Sequence, residues 1–150
     1  MTRDAATTSR IMSAVRNRDT GPELRLRKEL HRRGLRYRLH PRVFGRPDLV
    51  FPRAKVAVFV DGDYWHGNTW RIRGAKSFDA YFADRAHGDF WRDKISKNMA
   101  RDEEVNQHLG QAGWRVLRIW ESAVQANVEN AADQVEHEVR ERRGDARRGA

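Results

Sequence analysis

The sequence predicts an α/β fold: a mixed sheet with helices on both faces. Three observations lead there. A well-capped helix precedes a group of short apolar strands, a long helical period follows them, and a β-branched, aromatic strand then leads into a last amphipathic helix. At 150 residues with no cysteine, the chain is expected to form one domain, residues 1–150, whose core needs no disulfide.

Residues 1 to about 8 are polar and read as a disordered tail. Ile11, Met12 and Val15 form a short, weakly apolar helix face, which suits either docking on the core or an arm that folds against DNA. Thr20, Gly21, Pro22 and Glu23 match a capping box, with Thr20 as N-cap and Glu23 three residues on. Leu24, Leu26 and Leu30 give this helix a buried face, and Gly34 stops it. Glu23 is therefore sufficiently explained as a cap. Leu35, Tyr37 and Leu39 alternate with Arg36, Arg38 and His40, the period of a half-buried strand.

Two apolar runs, Leu49 to Phe51 and Val56 to Val60, are joined by Pro52, Arg53, Ala54 and Lys55 and read as a β-hairpin. Pairing Phe51 with Val56 puts Asp48 opposite Phe59 and makes Asp61 its diagonal neighbour on the same face, roughly 7 to 8 Å away. A loop one residue shorter would turn Asp61 to the other face. Asp63 and His66 follow in a Gly-punctuated loop. Residues 71–88 have no clean period and read as a long loop with at most one turn of helix. From Asp89 to Leu109 a helix is expected, with Trp91, Ile95, Met99, Val105 and Leu109 on its apolar side and Arg92, Lys94, Lys97, Asn98 and Arg101 on the other. That charged side is either simply solvated or faces phosphates. Trp114 to Trp120 reads as a further strand. Asn127 caps a final helix with Val128, Ala132, Val135 and Val139 as its core stripe. Residues 144–150 are expected as a second disordered tail.

Thirty Lys and Arg against 21 Asp and Glu give a formal charge of +9 and a pI near 10.7. Polyanions are the natural partners of such a chain, nucleic acid first. No signal core or membrane span is visible, so a soluble cytoplasmic protein with no membrane partner is expected. The hairpin carries the chemistry. Asp48 and Asp61 are hard oxygen donors of the kind Mg²⁺ prefers, and one divalent ion could bridge them. His66 adds an imidazole, the side chain that most often serves as a base at working pH. Singly, Asp48 also fits a turn at the strand entrance, Asp61 and Asp63 fit plain turn chemistry, and His66 fits a surface loop. Their conjunction in a basic chain points to a metal-dependent nuclease. The adjacent rings of Tyr64 and Trp65 suit a wedge that unstacks a base step, and a mismatch lowers the cost of doing so.

The blocks RIMSAVRNRDTGPELRLR, GRPDLVF, VAVFVDGDYWHG, FWRDKISKNMARD and GWRVLRIWE, from about Ser9 to Ser122, resemble the very-short-patch-repair (Vsr) mismatch endonucleases, a branch of the PD-(D/E)xK nuclease superfamily. That resemblance implies a restriction-endonuclease-like mixed central sheet flanked by helices. It implies Mg²⁺ dependence, with Mn²⁺ as a substitute, and nicking of one strand 5′ to the T of a T:G mismatch in double-stranded DNA. It further implies a monomer, a bacterial cytoplasmic setting at the nucleoid, and mismatch-repair proteins as candidate partners. By position, Asp48 matches the metal-binding aspartate, the main-chain carbonyl of Val60 a second ligand, His66 the general base, and Glu23 an acid acting through water on the metal. Tyr64, Trp65 and Trp91 match the aromatics at the DNA, Met12 the wedge on the N-terminal arm, and Lys94, Lys97 and Asn98 the phosphate-contacting helix. Two departures stand out. Asp61 replaces a histidine and is expected as a second metal carboxylate or as an orienting group for His66. The positions matching the family's structural zinc ligands are Asp63, Asn68, Trp70 and Ser122, so that zinc is expected to be absent, with hydrogen bonds or packing of Trp70 holding the loop. A nuclease of a restriction or defence system and a non-catalytic DNA-binding module are the competing readings.

Overall fold

The computed structural model describes residues 20–39 and 42–148, the last four as backbone. Helix α1 (Gly21–Arg32) begins where the capping box places it: Thr20 is extended and its hydroxyl accepts the Glu23 amide at 3.4 Å. Leu26 and Leu30 are fully buried. Leu24 is 45% exposed, because two residues of helix rotate it away from Leu26.

Four strands follow in chain order: β1 (Arg38–Leu39), β2 (Leu49–Phe51), β3 (Val56–Asp61) and β4 (Arg115–Trp120). They form one mixed sheet in the order β1-β2-β3-β4, with antiparallel β1/β2 and β2/β3 pairs and a parallel β3/β4 pair. The hairpin register is the expected one, Phe51 on Val56 and Leu49 on Val58. β1 is only two residues long, shorter than the alternation from Leu35 to His40 suggested.

Between β3 and β4 lie α2 (Thr69–Ile72), α3 (Phe78–Ala83) and α4 (Gly88–Gln111). The segment expected as loop thus holds two short helices, the second capped by the Ser77 hydroxyl on the Ala80 amide. α3 leads directly into α4, and a Cβ at Gly88 would collide with the Phe82 carbonyl, so the join requires glycine there. After β4 come α5 (Glu121–Ala126), which the sequence reading missed, and α6 (Val128–Arg148). Asn127 caps α6 through the Asn130 amide, and the helix runs into the stretch expected as a tail.

Apolar side chains pack on both faces of the sheet. Leu49, Phe51, Val56, Val58 and Ile119 meet α1, α5 and α6 through Leu26, Leu30, Val124, Val135 and Val139. On the other face Val50, Ala57 and Phe59 meet Val105 and Leu109 of α4. The period-2 alternation of β3 decides this split, and it puts Asp61 on the α4 face with Phe59. Among the described residues no helix is long and apolar enough to cross a membrane.

The inward stripe of α4 differs from the expected one. Ile95, Val105 and Leu109 are buried, whereas Met99 is 39% exposed. A spacing of 4, 3, 4, 3, 4 runs through Trp91, Ile95, Asn98, Asp102, Val105 and Leu109. Two polar residues therefore occupy core-facing positions, and both face the site described next.

Candidate active site at the ends of the parallel strands

Strands β3 and β4 end side by side, Asp61 level with Trp120, and a cleft of about 690 Å³ opens there. In sheets with parallel strands this is where ligands are usually held. Six carboxyl groups line it, Glu23, Asp48, Asp61, Asp102, Glu104 and Glu121, together with His66, Arg46, Arg101 and Arg118. The acids outnumber the arginines here in a chain of charge +9, and a cation held among them would offset their repulsion of a phosphate.

Asp48 sits at the entrance of β2, where its amide donates to Val58 O at 2.9 Å and its carboxylate accepts the Val60 amide at 2.7 Å. Its other close neighbour is Glu23, 3% exposed, which has Arg27 at 2.9 Å on its far side. Burial pushes the Asp48 carboxyl up to about 8, the Val60 amide pulls against it, and Glu23 and Asp61 push it further up. This acid has no cation of its own among the described residues, and its hard oxygens beside Glu23 fit a divalent ion of the Mg²⁺ type.

The second half of the cleft is a different assembly. His66 Nδ1 lies 2.5 Å from Asp102 Oδ2, and His66 Nε2 lies 3.8 Å from Asp61 Oδ1. Arg118 joins the two acids: Nη1 reaches both Asp61 oxygens at 3.1 and 3.2 Å and Asp102 Oδ1 at 3.4 Å, while Nε donates to Asn106 at 2.7 Å. The guanidinium also lies over the Phe59 ring, 4.0 Å from its centroid. Asp61, 5% exposed, is pushed up by burial, against the opposing pull of His66 and Arg118. The diagonal reach from Asp48 is met by the register, yet Asp61 is held by arginine and histidine rather than paired with Asp48. Asp61, His66 and Asp102 bring ligand atoms within 4.8 Å of one another, a set that could also hold an ion. Asp102, Arg118 and Glu121 were missed from sequence. A signal for Asp102 existed: it stands on the apolar stripe of α4, where a carboxylate has no packing reason to be.

His66 reaches this position from a short loop closed by its own polar clasp. Asp63 Oδ1 accepts the Ser122 hydroxyl at 2.6 Å and the Asn68 amide group at 2.9 Å, and Asp63 Oδ2 accepts the Ser122 backbone amide at 3.0 Å. The Asn68 backbone amide adds a bond to Asp63 O at 2.7 Å. Three of the four positions that the family resemblance matches to a structural zinc site thus bind one another. A carboxylate, an amide and a hydroxyl already engaged in this way, with an indole at Trp70, do not fit zinc. Hydrogen bonds hold the loop, and Trp70 is instead half-buried beneath Arg71, 4.6 Å from its ring centroid. Gly67 closes the turn at φ 82°, and a Cβ there would strike the Met99 sulfur.

The aromatic residues of the loop are not both open to solvent. Trp65 is only 5% exposed, packed edge-on with Tyr64 at 5.5 Å and with Trp91 at 6.0 Å between ring centroids. Trp91 from α4 closes over it, which is why two adjacent rings can be accommodated. Tyr64 and Trp91 are half-buried. Lys94 lies over the Trp65 and Trp91 rings, Asn98 donates to Trp65 O at 3.2 Å, and Lys97 faces solvent. Asn98 is thus turned toward the loop rather than lying on the charged side of the helix. Met12 and the short helix expected around it lie outside the described residues.

The chain was compared with known proteins. A family model described as DNA mismatch endonuclease Vsr matches residues 2–72. The chain is 42% identical over 133 residues to the type II nicking enzyme V.HpaIIP of Haemophilus parainfluenzae, spanning 88% of this chain and 89% of that protein. It is 40% identical to the type II nicking enzyme V.NmeDIP of Neisseria meningitidis serogroup C, over 90% and 87% of the two chains. It is 34% identical to the DNA mismatch endonuclease Vsr of Escherichia coli strain K12, over 81% and 73%.

Proposed function

We infer, from the premise that the chain belongs to the Vsr family of DNA mismatch endonucleases, that this DNA nicking endonuclease cuts one strand of a duplex distorted by a mismatch, T:G first among them. The observation that carries the reading is the His66–Asp102 pair, 2.5 Å apart, which shares one cleft with the Asp48 carboxyl beside Glu23.

With Nδ1 donating to Asp102, Nε2 of His66 is left as the proton acceptor toward the cleft. His66 takes the proton from the attacking water, and Asp102 fixes the ring while the imidazolium forms. Asp61, 3.8 Å from Nε2, stabilises that positive charge, and Arg118 keeps both acids in place. Asp61 is in this reading an orienting group. Asp48, with the Val60 carbonyl, would hold Mg²⁺ or Mn²⁺, and Glu23 would bind water beside it. A divalent ion there would neutralise the phosphoryl oxygens and the leaving oxygen. The Tyr64, Trp65 and Trp91 cluster would supply the rings that enter a weakened base step, with Lys97 reaching a phosphate. A single copy suffices for a single nick, so the working unit is a monomer in the cytoplasm, with mismatch-repair proteins as candidate partners.

A second setting, restriction or defence, is favoured by one observation: two relatives named type II nicking enzymes stand at 42% and 40% identity, above the mismatch endonuclease at 34%. Incubation with Mg²⁺ and a T:G duplex, a matched duplex or supercoiled plasmid tests the reading. Nicking of the T:G duplex in preference to the matched one is expected, and Asp48→Ala should abolish it while DNA binding persists. Absence of cleavage on every substrate would overturn the enzyme assignment. Cleavage governed by a methylated or unmethylated site instead of the mismatch would place the protein in defence.

A further inference from the structure

Several arginines in this protein already have acidic partners. Arg27, Arg32, Arg33, Arg92, Arg115, Arg118 and Arg140 all form ion pairs with carboxylates. A different group gathers at the opposite end of the sheet from the catalytic cleft. Arg36 before the edge strand β1, Arg38 within it, Arg53 in the hairpin turn and Arg143 near the end of α6 line a cavity of about 340 Å³ with no carboxylate in its wall. Arg36 uses one nitrogen on the His31 carbonyl at 2.9 Å, and among the described residues Arg38, Arg53 and Arg143 pair with no acid. Phe51 and Tyr37, packed edge-to-face at 6.3 Å, belong to the same wall, and the Tyr37 hydroxyl is already bonded to the Arg27 carbonyl at 3.1 Å.

Four exposed guanidinium groups around one concavity, with no carboxylate among them, make a local positive potential that attracts an anion. The cavity and the catalytic cleft share no lining residue. The hairpin turn lies five strand residues from Asp61, about 17 Å at the rise of a β-strand. Segments of DNA held in the cleft therefore do not automatically fill it. We propose that this arginine cavity is a second DNA contact that grips the phosphate backbone flanking the nicked segment. Guanidinium groups suit this, since they bind phosphate oxygens in pairs and stay charged at every working pH. The contact lengthens the footprint and raises affinity for long duplex without touching the reacting atoms.

The test compares the wild type with the triple variant Arg38→Gln, Arg53→Gln, Arg143→Gln, and with the double variant Arg53→Gln, Arg143→Gln, which leaves β1 intact. Binding is measured by fluorescence anisotropy from low to moderate salt, on T:G duplexes of about one helical turn, ~10 bp, and about four turns. The wild type should show a steeper salt dependence on the long duplex than on the short one. Loss of three phosphate contacts should lower the slope of log K against log salt by about 2 to 3 on the long duplex and leave the short one unchanged. Single-turnover nicking of the short duplex at saturation should match the wild type. Equal wild-type slopes on both lengths overturn the proposal, as does an equal loss on both lengths in the variants, which would make the cavity part of the cleft's own groove. Unchanged long-duplex binding in both variants, with thermal melts that show them folded, overturns it as well and leaves an acidic protein as the occupant. Failure of nicking on the short duplex by the wild type would instead count against the catalytic reading alone.

Discussion

Replacing Asp48 by asparagine should make the metal-free protein more stable while it destroys nicking. The carboxyl is held near 8 chiefly by burial, against an ordinary value of 3.8. A carboxyl raised in this way contributes its stability in full below 3.8 and loses it as pH rises through about 8. Each pH unit inside that window costs about 1.4 kcal/mol, so about 4.4 kcal/mol at pH 7 is the ceiling for an isolated group. Relaxation of the cleft and entry of water around the ionised group bring the expectation to on the order of 2 kcal/mol. Asparagine cannot ionise, keeps an oxygen for the Val60 amide and turns an amide group toward Glu23. Melting in EDTA should therefore rise by roughly 4 to 8 °C at pH 7 in a chain of this size. The gap should widen toward pH 8 and close toward pH 4. Added Mg²⁺ should raise the melting point of the wild type and leave the variant unmoved. A variant that melts below the wild type at pH 8 without metal, or a gap independent of pH, would refute the idea that Asp48 is a strained acid awaiting a cation.

Asp102→Asn should leave DNA affinity intact and lower the single-turnover rate by about 10² to 10⁴, because the amide no longer holds His66 with Nδ1 as donor; a rate within threefold of wild type would exclude Asp102 from the chemistry. Arg118→Met strands two largely buried acids and should cost about 3 kcal/mol in denaturant melts, with part regained in the Asp61→Asn, Arg118→Met double variant. Ser122→Ala removes the hydroxyl bond to Asp63 at 2.6 Å and should cost about 1 kcal/mol, with a smaller preference for mismatched over matched duplex. Zinc, or a zinc-selective chelator, should leave the melting point where it was, and a clear shift in either direction would mean that the clasp is not what holds the loop.

The local signals survived well where short-range chemistry decides. The capping box at Thr20, the hairpin register at Phe51 and Val56 and the Asn127 cap all depend on residues within a few positions of one another. The helices on both sheet faces follow from alternation along β3. The reading weakened where a segment owes its form to neighbours far along the chain. α3 is only six residues long, too short to establish a helical period, and it is fixed by burial of Phe82 and by the tight join that Gly88 permits. Trp65 likewise read as a wedge in an open loop, since its neighbour Tyr64 alone cannot cover it, and Trp91 of α4 completes its burial.

What the sequence determined by itself was a basic α/β nuclease-like chain with Asp48, Asp61 and His66 gathered at one end of a hairpin. Alternation and turn length are enough for that, because they act within a dozen residues. Only the tertiary structure decided how those groups are shared. Asp102 arrives from α4 and Arg118 from β4, 36 and 57 residues away from the groups they bind, and they draw Asp61 and His66 into one assembly while Asp48 is left with Glu23. Charge pairing in a buried cleft depends on distance in space, which the folding of α4 across the sheet sets and no local pattern records.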